Sequence, residues 1–144
     1  MAFYQSIINN EVVWHHRSAT GGFISNTTTF TVVPGLSQTI TIPTGYVADV
    51  EIWAQTGVSI DGGSGYDSWA IADIVVFRNG NWLSVGGYNR IKLHNGVGTV
   101  TDMDAVVIIA RDQITTPGTY TYDLRGRRNS GNFNIIIGGT VLPL

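Results

Sequence analysis

The stretch from Ile71 to Tyr88, which reads IADIVVFRNGNWLSVGGY, constrains the fold more than any other part of the chain. Its Asn79-Gly80 pair is a strong signal for a β-hairpin, because both residues tolerate the positive φ of a type I′ turn. A two-residue turn also fixes how the two strands pair. It predicts four opposite pairs, namely Phe77 with Trp82, Val76 with Leu83, Val75 with Ser84, and Ile74 with Val85.

Both faces of this predicted hairpin are apolar. Ile74, Val76, Leu83 and Val85 share one face, and Ile71, Val75, Phe77, Trp82 and Tyr88 share the other. An antiparallel hairpin with one face in water should instead alternate apolar and polar residues. We therefore expect a sandwich core to cover the first face and a partner subunit to cover the second. Aromatic residues dominate binding hot spots, so the aromatic side chains of the second face are the expected anchors of that subunit interface.

The rest of the chain predicts an all-β protein. Tyr46–Gln55 alternates cleanly, with Tyr46, Ala48, Val50, Ile52 and Ala54 toward the core and Trp53 on the polar face. Thr28–Val33 is expected to be a strand closed by a Pro34-Gly35 turn, and Ala105–Ala110 a strand buried on both faces. About ten short strands, separated by turn signals every eight to twelve residues or so, predict an antiparallel β-sandwich or jelly roll. We expect one domain over residues 1–144, with residues 1–26 forming an N-terminal arm or a strand pair.

The composition excludes several classes of protein. The chain has 144 residues, a net charge of −2 and only 12% charged residues, which argues against a nucleic-acid binder or a membrane-surface binder. It has no cysteine, so no disulfide or thiolate site is possible. Residues 1–10 lack the pattern of a signal peptide, and no stretch reaches the roughly 20 apolar residues of a membrane helix. We therefore expect a protein made in the cytoplasm and without a membrane partner.

Motifs for catalysis are missing. The sequence contains no Gly-x-Ser-x-Gly, HExxH, Walker or dinucleotide-binding pattern, so we expect neither an enzyme nor a cofactor. The basic cluster Arg125–Arg128 is expected at a loop, where carboxylate partners are favoured over phosphate. Ser59–Ser68 is a polar, glycine-rich loop in which Asp61 and Asp67 could hold a calcium ion. Their spacing does not follow an EF-hand, so a flexible connection is favoured and no metal site is predicted. If the protein contacts a receptor or glycan, the candidate residues are Trp53, Asp61, Tyr66 and Asp67.

The last third of the chain carries a family resemblance. The run Thr115–Arg125, TTPGTYTYDLR, is followed by a Ser-Gly turn and an isoleucine-rich strand. This order resembles the C-terminal segments of jelly-roll proteins on tailed-phage particles. Upstream, IPTGYV at residues 42–47 and VFRNGNWL at residues 76–83 resemble the tumour-necrosis-factor and complement-head type of jelly roll. The resemblance spans roughly residues 38–142.

The resemblance implies a function as well as a fold. Jelly rolls of this type pack two sheets and associate as three copies around an axis. The implied function is that of a non-enzymatic virion protein, a self-associating and trimeric jelly roll that decorates or cements the capsid. Its partners would then be further copies of itself and the major capsid protein or another virion protein. The alternative that stays open is a receptor- or glycan-binding tip of a tail fibre, or a lectin-like module, whose partner is a host-surface glycan.

Overall fold

A computed structural model describes residues 2–8, 11–17, 22–60, 68–95 and 102–138. The strands in these residues are β1 (Ala2–Ile8), β2 (Glu11–Arg17), β3 (Gly22–Ser25), β4 (Thr31–Ile42), β5 (Ala48–Ile60), β6 (Ser68–Arg78), β7 (Asn81–Trp82), β8 (Tyr88–Asn95), β9 (Met103–Ile114), β10 (Gly118–Gly131) and β11 (Ile135–Gly138). Within the described ranges, no helix has both the length and the apolar character needed to span a membrane.

The strands form two antiparallel sheets. In sheet A, β5 pairs with β9 along one edge and with β1 and β11 along the other, while β2 extends β1 and β3 extends β11. In sheet B, the order is β4-β10-β6, and β7 and β8 share the remaining edge of β6. Without β1, β2 and β7, sheet A has the order β3-β11-β5-β9 and sheet B has the order β4-β10-β6-β8. If these eight strands are numbered 1 to 8 along the chain, the two orders become 1-8-3-6 and 2-7-4-5. This is the order of a jelly roll.

The structure confirms the predicted antiparallel β-sandwich, whereas trimer formation stays a prediction. The N-terminal segment is a strand pair, because β1 pairs with β2 and also adds to sheet A beside β5. Val50 and Ile52 of β5 face the core, as the alternation predicted, and are at most 1% exposed. Gly126 of β10 lies where the two sheets approach closely. A Cβ atom there would lie 2.5 Å from Ile137 Cδ1 of the opposite sheet, so only glycine fits without displacing that side chain.

The predicted turn at Pro34-Gly35 is wrong, because β4 continues through it. Ser37 lies opposite Asp123 of β10, yet Val32 lies opposite Arg125, so β4 contains extra residues at this point. Such a bulge accommodates both the missing N–H of proline and the φ of +78° at Gly35. The bulge is tolerated because β4 is an edge strand that pairs only with β10 within the described sheet.

The central hairpin is confirmed at its turn. Asn79 and Gly80 have φ values of +49° and +78°, and Phe77 lies opposite Trp82. The turn also binds to β10, because the Asn79 N–H donates to the Thr121 carbonyl and the Thr121 N–H donates to Asn79 Oδ1, both at 2.8 Å.

Beyond Leu83 the predicted register is wrong. Ser84–Gly87 leaves the ladder as a short loop, so Tyr88 rather than Ser84 lies opposite Val75, and Val85 does not face the core but is 64% exposed. Gly86 explains this excursion. Its φ is +77°, and a Cβ atom there would lie 2.9 Å from the Ile109 carbonyl oxygen, so glycine lets the loop lie against β9.

The apolar run Ala105–Ala110 is confirmed as a strand but not as one buried on both faces. Within β9, Val106, Ile108 and Ala110 face the core and are 2% exposed. Val107 and Ile109 point away from the core and are half exposed. The outer face of sheet A therefore has an apolar surface that the described residues do not cover.

Candidate functional site

The predicted interface residues lie on the outer face of sheet B, but the chain itself buries part of that face. Val75 is 0% exposed and Phe77 is 8% exposed, although neither belongs to the core between the sheets. Trp82 and Tyr88 keep 47% and 39% of their surface exposed, and Ile71 is intermediate. Other parts of the same chain therefore cover Val75 and Phe77 on the second apolar face of the hairpin. The sequence had predicted that a partner subunit covers this face.

Phe30 supplies part of that cover from the segment before β4. Its ring meets Phe77 edge-on, with centroids 5.3 Å apart, and meets Trp82 at 5.9 Å. Trp82 in turn lies beside Tyr88 at 5.4 Å, with an interplanar angle of 36°. Four aromatic rings thus form a continuous cluster, in which edge-on and tilted contacts suit the ring quadrupoles.

Arginine side chains complete the cover. Arg125 and Arg127 lie inside β10, not at a loop as predicted, and their Cζ atoms lie 4.4 Å and 4.3 Å from the ring centroids of Phe77 and Phe30. Arg125 also pairs with Asp123 at 2.7 Å, so carboxylate pairing within this cluster is as predicted. Arg128 differs, because its guanidinium donates to backbone carbonyls instead.

Asp73 is the centre of this face, and sequence reasoning missed it. It is 0% exposed in the middle of β6, with Arg90 of β8 and Arg127 of β10 directly opposite on either side. Its carboxylate accepts hydrogen bonds from Arg90 Nε at 2.7 Å, Arg90 Nη2 at 3.1 Å, Arg127 Nη2 at 2.9 Å, Arg127 Nε at 3.0 Å, Asn129 Nδ2 at 2.9 Å and Tyr88 Oη at 3.0 Å. The Asp73 carboxylate therefore joins β6 to both of its neighbours, β8 and β10.

These hydrogen bonds set the charge of Asp73. Burial by itself would raise the pKa of the carboxyl group, but the donors, led by Arg90 and Arg127, outweigh burial and lower the pKa from 3.8 to about 2. The pKa of Tyr88 moves the other way, because burial and its hydrogen bond to Asp73 both favour the neutral phenol. Asp73 is thus a fixed anion and Tyr88 a fixed donor at neutral pH, which suits a structural network better than proton transfer.

A second polar cluster joins the two sheets at one side of the core. Arg78 of β6 donates twice from Nη1 to Asp112 of β9, at 2.8 Å and 2.9 Å. The hydroxyl of Tyr122, which is fully buried on β10, donates to the same carboxylate at 2.6 Å. Burial and this hydrogen bond raise the pKa of Tyr122. The donors to Asp112 come from two strands of sheet B, so this cluster fixes sheet A against sheet B.

The outer face of sheet A presents a different surface. Trp53, Met103, Val107 and Ile109, which we call the apolar strip, are between 42% and 53% exposed. Trp53 lies directly opposite Ile109 in the register of β5 and β9. The indole N–H of Trp53 donates to Glu51 Oε1 at 3.0 Å, an exposed hydrogen bond between side chains on the same face of β5. Contiguous exposed apolar residues of this kind mark sites of interaction.

The remaining predicted contact residues, Asp61, Tyr66 and Asp67, lie outside the described residues. Beside the apolar strip, a cleft of about 490 Å³ is lined mainly by Asp49, Glu51, Arg111, Asp112 and Gln113. The described residues contain no group of three or more histidine, cysteine, aspartate or glutamate side chains that could hold a metal ion.

The described residues form an antiparallel jelly roll whose polar clusters join neighbouring strands and the two sheets, and exposed apolar residues lie on the outer faces of both sheets. A scan against protein-family models finds no match, and a search of curated proteins finds no significant relative.

Proposed function

We propose that this protein is a non-enzymatic structural component of a phage particle, a jelly roll that self-associates as a trimer and decorates or cements the capsid. The apolar strip on sheet A is the observation that carries the self-association. The phage particle, the capsid partner and the location in the virion rest on the resemblance of residues 38–142 to jelly-roll proteins of tailed phages. The strip replaces the hairpin face as the proposed subunit contact, because Val75 and Phe77 are already covered.

The strip has the properties of a contact between copies. Its residues lie on two adjacent strands, so their side chains project from one rigid surface and lose little entropy on binding. Trp53 has a ring that is already oriented by its hydrogen bond to Glu51, and tryptophan is enriched in binding hot spots. A stable interface buries about 800 Å² per partner, so residues around the strip must contribute too.

A lysine in the strip tests this contact. We expect wild-type protein at micromolar concentration to have three times the mass of one chain by light scattering. Ile109→Lys is expected to have the mass of a single chain, because a charged group desolvated in an apolar interface is strongly unfavourable. Val47→Lys is the matched control, since Val47 is 64% exposed in a loop away from the strip, and it should stay trimeric.

Each outcome is informative. A wild-type chain that stays monomeric at high concentration, or an Ile109→Lys variant that remains trimeric, would contradict the proposed contact. A mass of two chains would keep self-association and contradict the three-fold arrangement. For the capsid partner, the trimer is expected to co-sediment with heads of the phage that encodes it. If the protein is instead found at the tail tip of the phage particle and not on the head, the receptor-binding alternative is favoured.

A further inference from the structure

Two exposed aromatic rings form a shelf on sheet B, on the side of the molecule opposite the apolar strip. The ring centroids of Trp82 and Tyr88 lie 5.4 Å apart, and the two ring planes are inclined by 36°. They line a shallow depression of about 530 Å³, together with Ser84, Gly86 and Gly87 of the loop that leaves the ladder. The depression thus combines two aromatic rings with a hydroxyl group and backbone polar groups.

Both rings of the shelf contact other side chains of the chain. Phe30 contacts Trp82 edge-on, and the Tyr88 hydroxyl is fixed by its hydrogen bond to Asp73. A ring that is already fixed loses little conformational entropy when a ligand stacks on it, so the shelf is preorganised. A shelf needed only to fill space would not require two rings that stay about two-fifths to one-half exposed.

One cation borders the shelf in a fixed orientation. The Cζ atom of Arg90 lies 5.7 Å from the centroid of the Tyr88 ring. Its Nε and Nη2 atoms are occupied by Asp73, whereas Nη1 has no hydrogen-bond partner among the described residues. The side chain is 49% exposed. The two N–H groups of Nη1 are therefore open to an anion beside the rings.

We propose that this shelf binds a saccharide that carries a carboxylate, with the sugar ring stacked on Trp82 and Tyr88 and the carboxylate bound by Arg90 Nη1. An apolar ring face suits the aromatic rings, and the sugar hydroxyls suit Ser84 and the backbone of the glycines. A single available guanidinium matches one carboxylate. A nucleic acid would need a row of cations along its backbone, and the net charge of the chain is −2.

The site is independent of the proposed assembly. Association through sheet A leaves the outer face of sheet B open, so a trimer would present three shelves to solvent. Binding and association can therefore be tested separately, and failure of one does not entail failure of the other.

Binding is tested with acidic sugars and their neutral counterparts. The probes are D-glucuronate, D-galacturonate and N-acetylneuraminate, each added at up to about 10 mM, against methyl glucoside and methyl galactoside. The readout is the ¹H–¹⁵N signal of the tryptophan indoles in the wild-type chain. We expect at least one acid to shift the Trp82 signal and to bind about tenfold more tightly than the neutral sugars, a difference of about 1.4 kcal/mol.

Substitutions then locate the site. Trp82→Ala is expected to abolish the effect of the acidic sugar, whereas Trp53→Ala should retain it, even if it disrupts the trimer. The wild-type spectra remain decisive if Trp82→Ala does not fold. The proposal is overturned if no acid shifts the Trp82 signal, if Trp53 shifts instead, if neutral sugars bind equally well, or if inorganic phosphate competes fully at equal concentration, which would indicate an anion site without sugar recognition.

Discussion

Replacing Asp73 by asparagine is expected to lower the free energy of unfolding by about 3 kcal/mol, because removing one partner of a buried ion pair leaves the other charges uncompensated. Arg90 and Arg127 both point at this carboxylate, and the buried amide would offer only one acceptor oxygen to their N–H groups. The change is measured by urea unfolding at pH 7. The strands on both sides of β6 depend on the same group, so a large loss of stability is expected.

The pH dependence gives a second measure of the same network. The pKa of Asp73 is lowered to about 2 in the folded chain, from an ordinary value of 3.8. The carboxylate therefore contributes stability that is fully present above pH 3.8 and is lost as the pH falls through about 2. A shift of this size corresponds to about 2 kcal/mol. The Asp73→Asn variant should lack this part of the acid destabilisation.

The matched control is Asp49→Asn on the outer face of sheet A. Asp49 is exposed and has no side-chain partner in the described part of the chain, so its substitution should change the free energy of unfolding by less than about 0.5 kcal/mol. Two results would show that the network does not stabilise the sheet. The first is an Asp73→Asn variant whose free energy of unfolding lies within about 1 kcal/mol of wild type. The second is a variant that loses as much stability as wild type when the pH falls from 3.8 to about 2.

Replacing Gly131 by alanine is expected to cost more than about 3 kcal/mol, since it combines backbone strain with a clash against backbone. Gly131 ends β10 with a φ of +129°, a region that alanine rarely adopts. A Cβ atom there would lie 2.6 Å from Ala70 Cα and would overlap the carbonyl oxygen of Trp69. Neither contact is the end of a flexible side chain, so β10 and β6 would have to separate locally.

Gly57→Ala is the control for Gly131→Ala. Gly57 also lies in a strand, but a Cβ atom there has no neighbour within 4 Å and its φ is ordinary. Alanine restricts the unfolded chain more than glycine does, so this variant should be neutral or more stable by up to about 1 kcal/mol. Equal urea midpoints for the two variants would contradict the proposed role of the close approach at Gly131.

The parts of the fold that depend on neighbouring residues could be predicted from the sequence. The turn at Asn79-Gly80 and the first pair of the hairpin are correct because a two-residue turn determines them locally. The register fails after Leu83, where Ser84–Gly87 folds against β9, a strand distant in sequence. The Gly86-Gly87 pair was the available signal, because consecutive glycines often mark a departure from a regular strand.

The centre of the sheet B face was harder to predict. Asp73 is the single charge within the otherwise apolar run from Trp69 to Phe77, and that contrast was the signal in the sequence. Its donors come from positions 88, 90, 127 and 129, which only the strand order brings together. The same strand order explains why guanidinium groups and aromatic rings of the same chain can cover an apolar face. No periodicity in the hairpin could indicate this cover.

The position of the N-terminal strand pair has a consequence for how copies can exchange segments. β1 occupies the edge of β5 from Val50 to Ala54, next to the portion occupied by β11. A chain shortened by its first 21 residues would leave those backbone groups unpaired on a long, regular strand. An open edge of this kind recruits strands from other molecules. The strand pair of β1 and β2 therefore covers this part of the β5 edge, and its loss would let the first strand of another copy pair with β5.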